Sequence, residues 1–418
     1  MTAGGWLSKF GNAFRADFLP QVRRRTTLLL MLTATLATAI VSVSAAEILL
    51  ACTAVGAVLD RRRLRLRPLW PVPPILYALA GFALWSILSA LASRDPLVGL
   101  QNLKKLLLFG VLPLILVLLD RSGQCRWILG AMFATISVSA ALGIVQFAMQ
   151  WYHPLRRIHG LLGHHMTFSG QLMLLLVALA AATLFRRRIR TPLAGLSLGL
   201  GLLLGTALLL TLTRSSWLGL LAGVGTILAL WRPRWLLALP LLAGLVFAAA
   251  PGQVRERLVH LLDPHEPGNA ARLDMLQTGL RIVADRPVFG VGPRMLEEQV
   301  YEYGADPRIL PCFYQHLHNN IVQLAAERGL PTLACWLWFM GLILWQNCRR
   351  FYRLKPASPP EALLFPALAV GAAVALFVSG LFEYNFGDSE VLLLFLALVG
   401  LSQFDAGQGE NEPASASA

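Results

Sequence analysis

Apolar runs close to the length of a membrane-crossing helix recur along nearly the whole chain, and that repetition decides the fold class. A segment lying in hydrocarbon must satisfy its own backbone N–H and C=O groups, which a helix does. The runs predict spans at 27–59, which at 33 residues reads as two short crossings, then at 75–93, 102–119, 127–150, 168–185, 192–212, 216–231, 235–250, 319–346, 362–382 and 389–404. The expectation is an all-α polytopic membrane protein of about 12 transmembrane helices. Composition agrees: 14% of residues are charged, against about 25% in a soluble domain. Met1 to Gln21 shows no apolar core followed by a small-residue cleavage site, so insertion is expected to rely on the first spans.

A net charge of +14 would suit a nucleic-acid partner, but its distribution argues against one. The basic residues stand in short clusters between apolar runs: Arg23 to Arg25, Arg61 to Arg67, Arg186 to Arg190 and Arg349 to Lys355. With both ends on the cytoplasmic side, inner loops and the N-terminal segment hold 22 Lys and Arg, and the short outer loops hold six. That asymmetry sets the orientation. The division that follows is a cytoplasmic segment 1–26, nine spans over 27–250, an outer loop 251–318, three spans over 319–404 and an unstructured cytoplasmic tail 405–418. Five cysteines without a CxxC pair or metal-ligand spacing exclude a disulfide framework.

The outer loop is too long to be a plain connection. Leu273, Leu276, Leu280 and Val283 fall at helical spacing, predicting a helix over Asn269 to Asp285 with Asn269 as N-cap and Pro287 as its stop. Gly292-Pro293 predicts a second helix reaching Tyr303. The two would form a helical lid on the membrane surface.

Ionisable residues beside a bilayer are costly unless something pairs or uses them. His318, in His316-Leu317-His318-Asn319-Asn320, either serves as a base near neutral pH or only satisfies the start of the following helix. Asn319 either caps that helix or meets substrate. His316 and His318 form a metal pair only with a third ligand, and no Asp, Glu or Cys stands at ligand spacing, so no metal or other cofactor is expected. Arg214, between two apolar runs, either snorkels to headgroups or clamps phosphate. Arg286 sits in a glycine-containing turn that either aims it into a site or pairs it with Asp285. Arg272 is a further anion-binding candidate; Arg281, nine residues on, points to the opposite helix face at 100° per residue. Arg156, Arg157, His159, His164 and His165 form another outer cluster, facing an anionic substrate or ordinary headgroups. Glu47 is a rare acidic residue within the early runs.

Three of these segments resemble one family. His318-Asn319, nine residues, then Gly329-Leu330-Pro331-Thr332 fits the H-[NSQ]-x9-G-x-x-[GTY] motif of O-antigen ligases. Thr213-Arg214-Ser215-Ser216-Trp217-Leu218-Gly219 resembles the Ser-Arg-Gly-like segment of the wider ligase and polymerase family, with Ser215 where a glycine is often found. Pro287 to Gly292 is similar to its P-x-x-G-x-G element. The resemblance implies a glycosyltransferase C-type architecture at the periplasmic face of the bacterial inner membrane. It implies metal-independent, inverting transfer of a glycan from undecaprenyl diphosphate to lipid A–core oligosaccharide, with membrane lipids around the acyl and prenyl chains. His318 would activate the acceptor hydroxyl, and Arg214 and Arg286 would hold the diphosphate. O-antigen polymerases and protein O-oligosaccharyltransferases of the same family are the alternatives; the histidine motif favours a ligase, and the short tail disfavours the protein transferase. A transporter, the rival outside the family, would place its ionisable residues at mid-membrane.

Overall fold

The computed structural model describes residues 19–409, apart from 62–65, 67, 68, 70, 150–156, 187–190, 251, 260–262, 264, 265 and 310. Arg156, much of the Arg61 and Arg186 clusters, and 410–418 therefore lie outside the described residues. All regular structure among them is helical.

The apolar runs become α1 (Leu19–Thr38), α2 (Val43–Leu59), α3 (Pro74–Leu91), α4 (Pro96–Leu118, with a 3₁₀ stretch at its middle), α5 (Ser122–Met149), α6 (His165–Leu184), α7 (Thr191–Leu210), α8 (Arg214–Trp231) and α9 (Ala238–Ala249). The long run 27–59 is split by a turn before Ser42, whose hydroxyl caps α2, as its length predicts. Five of the described helices are long and apolar enough to cross a membrane: Pro74–Leu91, Pro96–Leu118, Gly123–Met149, His165–Leu184 and Pro360–Ser379. Val43–Leu59, Ala194–Leu210, Pro233–Ala249 and Ser389–Phe404 are apolar but shorter. The protein is thus a helical, multi-pass membrane protein, and length and hydropathy support fewer crossings than the 12 expected.

Leucines at 196, 198, 202, 241, 242 and 245 stand more than half exposed on α7 and α9. In water such a surface would drive association; against lipid it is the outer wall. Inside, small residues let helices approach. Gly219 and Gly223 of α8 face α15 (Leu364–Ser379), where an added Cβ would stand 2.7 Å from the Ala375 carbonyl and 2.6 Å from that of Gly371. This is the small-xxx-small packing of membrane helices.

The outer loop folds as α10 (Gly252–Val259), α11 (Pro267–Asp285) and α12 (Leu296–Gln299). Helix α11 starts two residues earlier than expected, because Pro267 takes the first-turn position and the Glu266 carboxylate accepts from the Asn269 N–H; Asn269 is not the cap. The second helix expected from Gly292 is shorter. Gly292 and Arg294 have positive φ, so the chain turns there, and one α-turn followed by 3₁₀ Val300–Tyr303 ends at the left-handed Gly304.

Past the loop come α13 (Asn320–Arg328), α14 (Leu330–Leu354), α15 and α16 (Ser389–Gly409). The single run expected at 319–346 is broken at Gly329. The tail residues 405–409, expected to be unstructured, continue α16. Helix α13 is a wall common to two cores: Leu324 packs with the membrane helices, while Val322 and Ala326 pack with Met275, Ile282, Val291 and Tyr314 of the loop.

Candidate active site

The histidine loop is held from α13. Asn319 caps it, its Oδ1 accepting from the Ile321 and Val322 N–H groups while its Nδ2 donates to the Leu381 carbonyl. Both ends of that amide are thus engaged by the fold, the capping alternative weighed for Asn319. Asn320 is buried and ties α13 to the turn after α15, donating to Asn385 Oδ1 and accepting from the Phe386 N–H. Gln323 reaches back to accept from the Leu317 N–H at 2.7 Å. Between these anchors His318 adopts φ 47°, a left-handed conformation that a non-glycine residue rarely takes. The three described non-glycine residues at positive φ are Leu212, Arg294 and His318, each in or within two residues of one of the three motif segments. Backbone strain of this kind, worth about 1–3 kcal/mol, gathers at functional sites.

His318 Nδ1 lies 3.0 Å from Glu383 Oε2, and His316 Nε2 lies 3.4 Å from Glu383 Oε1. Glu383, 8% exposed, stands in the turn that follows α15. Burial opposes its ionisation, but hydrogen bonds from His316 and His318 outweigh that and hold the carboxyl well below the usual carboxylate range. A carboxylate only accepts, so the proton between it and His318 belongs to Nδ1. The lone pair on Nε2 is then available, and Nε2 has no hydrogen-bond partner among the described residues. This is the arrangement of an oriented general base. The expectation that no acid completes a His316–His318 metal set is also corrected: His316, His318 and Glu383 present donor atoms all within 4.8 Å of one another.

The two glycine motifs interlock at the other end of α13. The Val291 and Gly292 N–H groups donate to the Ala326 and Glu327 carbonyls, and the Leu330 N–H donates to that of Pro287. Gly329, at φ 84°, lies where any Cβ would strike the Val288 carbonyl. The turn itself is fixed to α3, where Trp85 Nε1 donates to Val288 O and Ser89 to Phe289 O. Buried Glu327 accepts from the Arg294 N–H and from Gln323 Nε2, so one network joins the turn to the histidine loop. Beside it lies a cavity of about 310 Å³ whose walls include Lys105, Arg294, Arg328, His316 and Glu383.

None of Arg157, Arg214, Arg272 and Arg286 lines that cavity. Arg214, 9% exposed at the start of α8, donates from Nη2 to Glu266 Oε2 at 2.9 Å and to Asn269 Oδ1 at 2.8 Å. Arg286 ends α11 and stands 3.6 Å from the Asp285 carboxylate, the local pairing weighed against a site role. Arg281 donates to the Tyr303 and Gly304 carbonyls, while Arg272 is half-buried on the same helix. Arg157 contacts His165 Nε2 at 2.9 Å, and His164 contacts the Thr167 hydroxyl, which donates to Asp388.

Sequence reading missed Glu383, Gln323, Glu327 and Arg328. An acid at the end of an apolar run was a usable signal for Glu383, since ionisable residues there are rarely idle. Residues 198–337 match the family described as O-Antigen ligase. Comparison of the chain with curated proteins gives no match. The matched stretch takes in Arg214, Arg286, His318 and Gly329 and stops short of Glu383. The match to the O-antigen ligase family over residues 198–337, a third of the chain, supports assigning this multi-pass membrane protein to that family.

Proposed function

We propose that this protein is a ligase that transfers a glycan from undecaprenyl diphosphate to lipid A–core oligosaccharide, with inversion and without a catalytic metal, at the periplasmic face of the inner membrane. The observation that carries the reading is the His318–Glu383 pair, with Nδ1 engaged by the carboxylate at 3.0 Å and Nε2 without a hydrogen-bond partner among the described residues. In the step proposed, the acceptor oxygen bonds to the anomeric carbon of the donor sugar, and the bond from that carbon to the diphosphate oxygen breaks. The electron pair leaves with the diphosphate, and the hydroxyl proton passes to His318 Nε2. Growing charge on the leaving group needs fixed cations at a partly dry surface. Arg214 and Arg286 take that role; in the protein without donor Glu266 engages the Arg214 guanidinium, and the diphosphate displaces it. The exposed leucine walls of α7 and α9 face lipid.

Purified protein incubated with the lipid-linked glycan and lipid A–core should convert the acceptor to a slower-migrating species on a gel, and EDTA should not lower the rate. Arg214→Ala should cut transfer by about 10²–10³-fold, the usual loss when one charge-stabilising donor is removed. Absence of product overturns the ligase reading, and product built by glycan-to-glycan extension or on a protein moves the assignment to the alternatives. Full activity in folded Arg214→Ala removes the clamp.

Orientation is tested separately, in a variant lacking the native cysteines. Cysteine at Leu280, 53% exposed on α11, should react with a membrane-impermeant thiol reagent once the outer membrane is permeabilised. Cysteine at Tyr352, 57% exposed near the end of α14, should react only after inner-membrane lysis. Equal labelling of both from outside would place the loop and the inner cluster on one face and sink the topology.

A further inference from the structure

His316, His318 and Glu383 are close enough, and of the right kinds, to do something besides hold one imidazole. We infer that they form an inhibitory site for a transition-metal dication such as Zn²⁺. The inhibition, but not the binding, rests on the role proposed for His318.

Two imidazoles and a carboxylate are a recurrent three-residue zinc set that leaves a fourth position for water. With bonds of about 2.0–2.1 Å, neighbouring donors in a tetrahedral site stand about 3.3–3.4 Å apart. Here the histidine-to-carboxylate distances of 3.0 and 3.4 Å run to the two different oxygens of Glu383, and one donor atom from each residue lies within 4.8 Å of the others. A small turn of the carboxylate and of the rings, whose centroids are 4.4 Å apart, would bring both nitrogens and one shared oxygen to a single ion. The His316 side chain is 35% exposed against 15% for His318, so it offers both a way in and the freedom to rotate. Glu383 supplies the anionic charge that keeps a dication at a site otherwise beside Lys105, Arg294 and Arg328.

The effect on catalysis follows from which nitrogen is taken. His318 faces the carboxylate with Nδ1, which carries the proton and leaves the Nε2 lone pair for the acceptor hydroxyl. A metal must bind Nδ1 through its lone pair, so the ring's one proton moves to Nε2. The charge of the ring is unchanged, yet the proton-accepting nitrogen has become a donor. The ion therefore switches off the base by tautomer exchange, without occupying the place of the acceptor. Mg²⁺ and Ca²⁺, which select oxygen cages, have no such set here and should not compete.

The test uses the full chain in lipid nanodiscs, with Zn²⁺ alone as titrant in calorimetry and Co²⁺ as a spectroscopic probe. One Zn²⁺ should bind per chain, and Co²⁺ should give the intense visible bands of a tetrahedral site. His316→Gln, at a half-exposed position that tolerates the change, should weaken Zn²⁺ binding by about 10-fold or more and abolish the cobalt bands. In the transfer assay Zn²⁺ should inhibit the wild type and chelator should restore it. The inhibition constant of His316→Gln, measured against its own zinc-free rate, should rise by the same factor as its dissociation constant. No zinc binding to the wild type, or equal binding to the variant, overturns the site. Zinc binding by a protein that transfers no glycan leaves the site standing and removes the ligase reading instead.

Discussion

His318→Asn is expected to lose nearly all glycan transfer, by about 10²–10⁴-fold, the usual contribution of a positioned base. Asparagine is the informative substitute because of the backbone. His318 sits at φ 47°, and asparagine tolerates that conformation far better than alanine does. Its amide can still hydrogen-bond Glu383, so the loop keeps its anchor, but it cannot take a proton. His318→Ala removes the ring and adds a conformational cost as well, so its loss alone would not separate chemistry from folding. The readout is single-turnover transfer by each purified variant, with donor binding measured alongside. Near wild-type turnover in His318→Asn would leave the histidine as a loop anchor and nothing more.

Glu383→Gln carries the second large effect. The side chain keeps its shape, but its charge goes, and with it the preference for a proton on His318 Nδ1. A glutamine NH₂ turned toward Nδ1 would favour the opposite tautomer and put the proton where the acceptor hydroxyl must deliver its own. A loss of about 10²–10⁴-fold in kcat follows, with donor affinity little changed. Stability should fall too, because the carboxylate is buried between two imidazoles. The pH dependence has a definite sign. Glu383 titrates below the ordinary carboxylate range, so the stability it contributes is present above that range and is lost as pH falls through its depressed value. Glu383→Gln should flatten the acid end of a thermal-stability profile. An unchanged kcat in that variant would show that the carboxylate orients nothing.

Helices were legible because hydrophobicity at this scale is local: a run such as 127–150 contains its own reason to be helical, and α5 occupies Ser122–Met149. The helix start at Asn319 was legible for the same reason, since capping is a property of adjacent residues, whereas the break at Gly329 lies inside a run that reads as one span. Partnerships were not. Nothing near His318 points to Glu383, 65 residues on. Arg214 reads as an isolated cation at a break between helices, yet its partner Glu266 comes from the outer loop 52 residues later. The helices of the loop 251–318 differ in extent from those expected, because Pro267 and Arg294 act through turn geometry that apolar spacing does not register.

The nine-residue spacing between His318-Asn319 and Gly329 can now be understood as a ruler. Helix α13 is clamped at one end by the Asn319 cap and the Asn320–Asn385 tie, and at the other by the seat of Gly329 on Val288. A flexible connection would absorb one more residue, but a clamped helix cannot. One insertion would shift one end by about 1.5 Å and rotate it by about 100° relative to the other. Gln323 would then no longer meet both Leu317 and Glu327, and Val322 and Ala326 would turn away from the loop core they share. What the motif preserves is a phase angle between base and turn, so a chain of this kind tolerates changes of side chain along α13 more readily than a change in its length.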